Sequence, residues 1–201
     1  LGGSGDKVIE HPATATDFAA DVDTARFTFG STSKSIRIGT ASVTKALTVT
    51  SAISAAGPIS LLANSVLFIK TAGLDTTGAV GAAILVKSRI WIQTNSQDSA
   101  AAATTFKTDN GDITLWSAAA GGTDGSVTLG NYTVLDTTNG DKAAQATGGG
   151  RITIAGGTTT SGGYPTGPTQ GGTNNGYGIC IYNYVRLYSG GGDQFLYGKS
   201  S

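Results

Sequence analysis

Short alternations of apolar and polar residues dominate the hydrophobic pattern of this chain. Each is bounded by Gly, Asn, Asp or Ser, which is typical of half-buried β-strands. No segment of similar length has the spacing of an amphipathic helix. The pattern therefore predicts an all-β chain. The stretches are "RFTFG" (26–30), "SIRIG" (35–39), "ALTVT" (46–50), "PISLLA" (58–63), "VLFIK" (66–70), "AILVK" (83–87), "RIWIQT" (89–94), "DITLWS" (112–117), "SVTLG" (126–130), "YTVLD" (132–136), "RITIAG" (151–156), "GICIY" (178–182), "VRLYS" (185–189) and "QFLYG" (194–198).

Several of these strands recur in one setting, with a glycine or Asn-Gly before them and small residues after. Their first positions are Ile59, Ile84, Ile113, Ile152 and Gln194, which are 25, 29, 39 and 42 residues apart. Repeats of this length indicate solenoids or propellers. Because one coil cannot bury its own apolar face, its inward positions must recur in the next coil. We therefore predict a parallel β-helix, with hairpins at the Asn-Gly and Asp-Gly turns as an open alternative.

Each coil is expected to hold two or three strands that point apolar residues inward from successive faces. In one coil, Ile113 and Leu115 would point inward first, then Val127 and Leu129, and then Val134. Alternation along each strand is the basis for this assignment.

The glycine-rich segments indicate where loops leave the coils. We expect loops at 117–125 and at 155–178, of which the second is the longest irregular segment. The solenoid repeat domain is predicted over 26–201. Residues 1–25 lie outside the repeated pattern and are expected to form an N-terminal cap, a contact or a linker.

Three stretches carry a family resemblance. "NGDITLWSAAAGGTDGSVTLGNYTVLDTTNGD", "GGGRITIAGG" and "YGICIYNYVRLYSGGGDQFLYGKSS" resemble the repeat units of large bacterial surface adhesins of the filamentous-haemagglutinin-like kind. The resemblance implies a right-handed parallel β-solenoid, with glycine-rich loop insertions, on the outside of a bacterial cell.

Two departures from those repeats affect this interpretation. Gln194 stands where an inward Ile or Val is expected, so that coil is either terminal and wetter or shifted in register by one residue. The turn after Trp116 is "SAAAGG" where the repeats are often Asp-rich, which removes the most obvious calcium site.

Charge and composition limit the classes of partner. The chain has 13 basic and 13 acidic residues among 201, without a cluster of Lys and Arg, so nucleic acid is not an expected partner. No apolar run is long enough to predict a membrane span. The only cysteine, Cys180, cannot form an intramolecular disulfide.

The ionisable residues offer little catalytic chemistry. His11 is the only histidine and lies far from Cys180 in sequence, which argues against a nucleophilic set and against zinc. Acids paired at turns suit Asx-turn hydrogen bonds. The alternatives are weak calcium binding and the acid pair of a polysaccharide-degrading enzyme. Asp109 with Asp112 and Asp136 with Asp141 flank turns, whereas Asp21 and Asp23 share a strand-type face.

Five aromatic residues are predicted to point outward by alternation, and they are Trp91, Trp116, Tyr182, Tyr188 and Tyr197. Exposed aromatic side chains can stack on sugars or join protomers. The alternatives are an aromatic ladder between adjacent coils, or cover from a folded-back loop.

The sequence thus predicts a non-catalytic structural or adhesive segment of a bacterial extracellular surface or filament-forming protein, without a cofactor. Its expected partners are neighbouring repeats or other copies of itself, with surface glycans as a further class. The first alternative is a β-helical polysaccharide-degrading enzyme or depolymerase. The second is an ice-binding solenoid whose outward threonines would be Thr48, Thr114, Thr128 and Thr153.

Overall fold

The computed structural model describes residues 3–10, 18, 20–30, 32–40, 42–69, 71–121, 125–138, 148–170 and 177–200. In these residues the chain is all-β, apart from two short 3-10 helices at Thr24–Arg26 and Ala100–Ala102. The strands form three large sheets and one separate two-stranded pair, and with one exception every pair of neighbouring strands is parallel.

Sheets 1 to 3 contain strands that come from successive turns of the chain. Sheet 1 contains β1 (Lys7–Ile9), β3 (Ile36–Ile38), β6 (Ile59–Ala63), β9 (Ile84–Ser88), β12 (Ile113–Ser117), β15 (Ile152–Ser161), β16 (Tyr164–Gly167) and β20 (Gln194–Leu196). Sheet 2 contains β2 (Val22–Asp23), β4 (Leu47–Val49), β7 (Val66–Phe68), β10 (Ile92–Thr94), β13 (Val127–Leu129) and β18 (Ile179–Ile181). Sheet 3 contains β5 (Ile53–Ser54), β8 (Leu74–Val80), β11 (Thr104–Asp109), β14 (Thr133–Asp136) and β19 (Arg186–Tyr188). A separate parallel pair joins β17 (Thr169–Gln170) to β21 (Gly198–Lys199).

The chain visits the three sheets in order and then returns to the first, so each turn forms one coil. The predicted stack of parallel strands is confirmed in sheet 1, where Ile59, Ile84, Ile113, Ile152 and Gln194 are register partners in consecutive coils. Strands paired in this way lie roughly 4.8 Å apart. The arrangement is compatible with a β-solenoid.

The core is the column of inward side chains enclosed by the three sheets. Phe68 and Phe106 are fully buried in it, with their rings edge to face and their centroids 4.8 Å apart. Such a contact contributes stability beyond the apolar area that it buries. The large side chains of sheets 2 and 3 therefore meet across the middle of the coils.

The inward residue of sheet 3 differs from the prediction by one position. Leu135 is fully buried, whereas Val134 is only half-buried on the outer side. Tyr132, just before β14, has a φ of 60°, and this left-handed residue changes which face the following side chains occupy. As a result Thr133 also points inward, where its hydroxyl lies 2.6 Å from that of Thr94 and donates to the carbonyl of Gly130.

The prediction of a strand at 26–30 is wrong. Asp23 accepts a hydrogen bond from the backbone N–H of Ala25 at 2.8 Å, and this cap starts the 3-10 helix Thr24–Arg26. Residues 27–30 that follow it are not in a strand.

Several strands of sheet 3 have no simple apolar alternation and were not predicted. In β11 the inward residues include Thr104 and Thr108 beside Phe106, and both threonines are fully buried. A buried hydroxyl is tolerated where it is hydrogen-bonded. Thr108 donates to the carbonyl of Gly111, and Thr76 of β8 donates to that of Ala82.

Part of the segment 1–25 lies in the stack. Strand β1 pairs with β3, and β2 pairs with β4, so both stand in the first rungs of their sheets. Whether the segment acts as a cap, a contact or a linker stays a prediction.

The predicted loop at 155–178 contains a hairpin, and residues 171–176 of that prediction lie outside the described residues. Strand β15 continues to Ser161 and pairs in antiparallel fashion with β16. Gly162 and Gly163, at the turn between them, have φ values of 59° and 86°, which only glycine adopts without strain. Two consecutive positive φ values are typical of the tight turns that close hairpins.

Candidate association surface

The C-terminal coil, formed by β18, β19 and β20 and the residues between them, is the last rung of all three sheets in the described residues. We call it the end coil. Its inward positions are in register with buried residues of the preceding coil. Ile181, the partner of Leu129, is 47% exposed, and Leu196, the partner of Ile154, is 40% exposed, although Leu129 and Ile154 are fully buried. The core column is therefore open to solvent at this end.

The backbone of the end coil is paired on one side. Tyr182 and Tyr197 donate their N–H groups to Leu129 and Ile154 of the preceding coil. On the other side the strands β18, β19 and β20 have no strand partner among the described residues. An unpaired strand edge is a template for a further strand.

Gln194 occupies the inward register position, as the sequence suggested, because it pairs with Ile152. Its amide is exposed and donates to the hydroxyl of Ser189 at 3.1 Å, with the carbonyl of Leu187 at 3.5 Å. The structure therefore fits the interpretation of a terminal, wetter coil and not a shifted register.

A ladder of asparagine and tyrosine follows one corner of the stack. The rings of Tyr132 and Tyr184 are stacked, with centroids 4.6 Å apart and planes at 12°. Both residues have left-handed backbones, with φ values of 60° and 61°. Asn183 donates its backbone N–H to the side-chain oxygen of Asn131 at 3.1 Å. We call these four residues the Asn–Tyr ladder.

The ladder ends at the end coil, where the Tyr184 side chain is 61% exposed. Sequence reasoning missed this pair, although the repeated "NY" in "GNYTV" and "YNYVR" was a visible signal. An aromatic ladder between adjacent coils is therefore present, but it is formed by Tyr132 and Tyr184 and not by the five predicted residues.

The five predicted aromatic residues do not form one surface. Tyr182 and Tyr197 are exposed on the end coil, and Tyr188 is half-buried in β19 of the same coil. Trp91 is half-buried before β10, in an earlier coil. Trp116 is 9% exposed, so the expectation of an exposed side chain there is wrong.

Trp116 is buried because the hairpin β15–β16 folds back over the outer face of sheet 1. Its indole Nε1 donates to the carbonyl of Gly157 at 2.8 Å. The ammonium of Lys87 lies 3.6 Å from the centre of the same ring, which is a cation–π contact. Burial lowers the pKa of Lys87 from its ordinary value.

A cluster of four side chains holds the hairpin in place. The Tyr164 hydroxyl donates to Asp112 Oδ2, and Asp112 Oδ1 accepts from the backbone N–H of Arg151 at 2.7 Å. The Arg151 guanidinium lies 4.6 Å from the Tyr164 ring centre and 5.7 Å from that of Phe195. The hydrogen bond to Asp112 raises the pKa of Tyr164.

Three of the four outward threonines are buried. Thr114 is 6% exposed and Thr153 is fully buried, and Thr128 on sheet 2 is 9% exposed. Only Thr48 of the four predicted residues is partly open. The exposed threonine face that the ice-binding alternative requires is therefore not formed by these residues.

The carboxylates singled out in the sequence accept hydrogen bonds from backbone and side-chain donors. Asp21 accepts from the N–H of Ala46 at 2.9 Å, and Asp136 accepts from both the N–H and the hydroxyl of Thr138. Asp109 accepts from the amide of Asn110 at 3.0 Å. His11 and Asp141 lie outside the described residues.

No group of three or more His, Cys, Asp or Glu that could hold a metal ion is present in the part of the chain that the structure describes. Cys180 is half-buried in β18. Among the described residues, no helix has the length and apolar character needed to cross a membrane.

Comparisons of the chain with protein-family models, with curated proteins and with solved structures found no match.

Proposed function

We propose that the chain is a non-catalytic structural and adhesive segment of a bacterial extracellular surface or filament-forming protein, and that it extends by stacking on the end coil. The observation that supports this most is the open core, where Ile181 and Leu196 occupy inward positions but remain about half exposed. In the proposal the coils form a right-handed parallel β-solenoid with glycine-rich insertions at corners. Parallel crossover connections are right-handed in nearly all known proteins.

The occupant of the end coil in the isolated protein is a second copy of the chain, joined by the first rungs β1 and β2. Among the described residues, β1 and β2 at one end and β18 and β20 at the other have no further strand partner, so a head-to-tail contact continues the hydrogen-bonding pattern of the sheets. Repeating such a contact produces an open filament because it does not close on itself.

The gain from stacking can be estimated from the exposed apolar area. Full burial of a Leu or Ile side chain stabilises by about 1.5–3 kcal/mol, so covering the exposed part of Ile181 and Leu196 contributes about 2 kcal/mol. The Tyr184 ring adds a surface on which another ring can stack. Backbone hydrogen bonds from β20 to β1 of the second copy in sheet 1 and from β18 to its β2 in sheet 2 add to this.

The bacterial and extracellular placement is supported by the sequence resemblance to adhesin repeats. A charged fraction of 13% and 31 glycines also suit a secreted repeat protein with many turns. The aromatic residues Tyr182 and Tyr197 remain available for contacts with surface glycans or other copies.

Sedimentation velocity over a range of concentrations, with electron microscopy of the concentrated sample, tests the proposal. We expect reversible growth in mass and thin filaments with a stacking repeat of roughly 4.8 Å. Leu196→Lys should weaken association by about tenfold or more, because it places a charge in the contact.

Val80→Lys is the matched control, since Val80 is 76% exposed on β8, away from the end coil. It should associate like the unchanged protein. A strict monomer at all concentrations would overturn the proposal, and so would equal weakening by both substitutions.

A further inference from the structure

A small pocket lies at the corner between sheets 1 and 2, remote from the end coil. Its volume is about 60 Å³. Lys87, Ser88 and Arg89, at the end of β9, line one side, and Ala119 and Ala120 from the loop after β12 line another. That loop is held in position by hydrogen bonds from Ala118 to the carbonyl of Ile90 and from Ala119 to that of Ser88.

The charged residues that line the pocket are both cations. Lys87 and Arg89 are half-buried, and no Asp or Glu is among the described residues that line the pocket. The ion pair found among the described residues joins Arg37 to Glu10 and does not involve either cation. Within the described part of the chain, the two cations of this concave site have no acidic partner, which favours an anion.

The cation at position 87 is held in place before any ligand arrives. Its ammonium lies over the Trp116 ring at 3.6 Å, and the ring is fixed by the hydrogen bond from Nε1 to Gly157. Burial lowers the pKa of Lys87, because the charged form has lost part of its hydration there. An anion in the pocket would interact favourably with the Lys87 ammonium and compensate for the lost hydration.

We propose that this corner pocket binds a single anionic group, a carboxylate or a sulfate, between Lys87 and Arg89. Charge-assisted hydrogen bonds from lysine and arginine to such groups are the strong ones in proteins. The site does not depend on stacking at the end coil, so the two proposals can fail separately.

Binding can be measured by NMR chemical-shift titration of the full chain at constant ionic strength. The probes are sodium sulfate, sodium acetate and sodium glucuronate, with glucose as the neutral counterpart of glucuronate. We expect saturable shifts centred on 87–89 and 119–120 with the anions and none with glucose. If glucuronate binds more strongly than acetate, the site recognises an acidic sugar. If the two bind equally, the site recognises the acid group alone.

Arg89→Gln and Lys87→Gln should each weaken binding of the anions by about tenfold. Lys107→Gln is the control, because Lys107 is an exposed cation on β11 of sheet 3. Circular dichroism would verify that each variant is folded. Ala120→Glu, at an exposed position beside the pocket, should also prevent binding by placing a carboxylate next to the two cations.

The absence of saturable shifts with every anion would overturn the proposal. Equal shifts with glucose and glucuronate would do the same, as would equal weakening by Lys107→Gln and Arg89→Gln.

Discussion

The neighbouring residues Val134 and Leu135 provide a sharp test of the register of sheet 3. Leu135 is fully buried and stacks between its register partners Phe106 and Leu187, whereas Val134 is half-buried on the outer side. Strand side chains alternate between the two faces, so a shift of one residue would exchange these two roles. Leu135→Ala and Val134→Ala should therefore have very different effects on stability.

The expected magnitudes follow from burial. Leu135→Ala removes three carbon atoms from the core, which costs about 2.4 kcal/mol in transfer free energy at about 0.8 kcal/mol for each. A cavity remains beside Phe106 because stacked coils cannot collapse freely, and this brings the cost to about 3 kcal/mol. Val134→Ala should cost less than about 1 kcal/mol. For a chain of this size, 3 kcal/mol lowers the melting temperature by roughly 6–12 °C.

Urea unfolding of the two variants and the unchanged protein, followed by circular dichroism, provides the comparison. Unfolding of repeat proteins can proceed in steps, so the midpoint and the slope are both compared. If Val134→Ala were the more destabilising substitution, the inward register of β14 and the role of Tyr132 in setting it would be refuted.

Two further predictions concern the hairpin and a close backbone contact. Tyr164→Phe should loosen the hairpin by removing the hydrogen bond to Asp112. Because the folded state raises the pKa of Tyr164 above 10.0, the stabilisation from this tyrosine is complete below about pH 10 and is lost as the pH rises through the folded value. Thermal melts should show that loss in the unchanged protein and not in the variant. Gly39→Ala should destabilise far more than Gly81→Ala in the same melts: both have φ near 80°, but an added Cβ at Gly39 meets the carbonyl of Leu62 and at Gly81 meets nothing within 4 Å. Equal losses would show that backbone strain alone decides the effect.

Strand positions in sheet 1 could be predicted because the signal there is local. Ile84, Ile113 and Ile152 each begin a clear alternation after a glycine or aspartate turn, and they stack as register partners. In sheet 3 the same reasoning failed, because Thr104 and Thr108 are polar residues in inward positions. The Thr108 hydroxyl, for example, donates to the carbonyl of Gly111, and alternation alone does not reveal such a contact.

The candidate surfaces were only partly visible in the sequence. Tyr182 and Tyr197 were found by alternation and are exposed. The stacking of Tyr132 on Tyr184 was missed because the two residues are 52 positions apart and meet only when their coils stack. The corner pocket was missed for a similar reason, since Arg89 and Ala120 come from different coils.

The sequence by itself determined that the chain is all-β and that parallel strands repeat in a stack. Alternation is visible within a few neighbouring residues, and the repeat is visible in the spacing of 25 to 42 residues between similar strands. Only the tertiary structure decided which outward side chains remain exposed. Alternation places Trp116 on the outer face, but its burial depends on a hairpin about forty residues later folding back over it. Burial is a property of what packs against a residue, and for Trp116 that partner comes from a distant part of the chain.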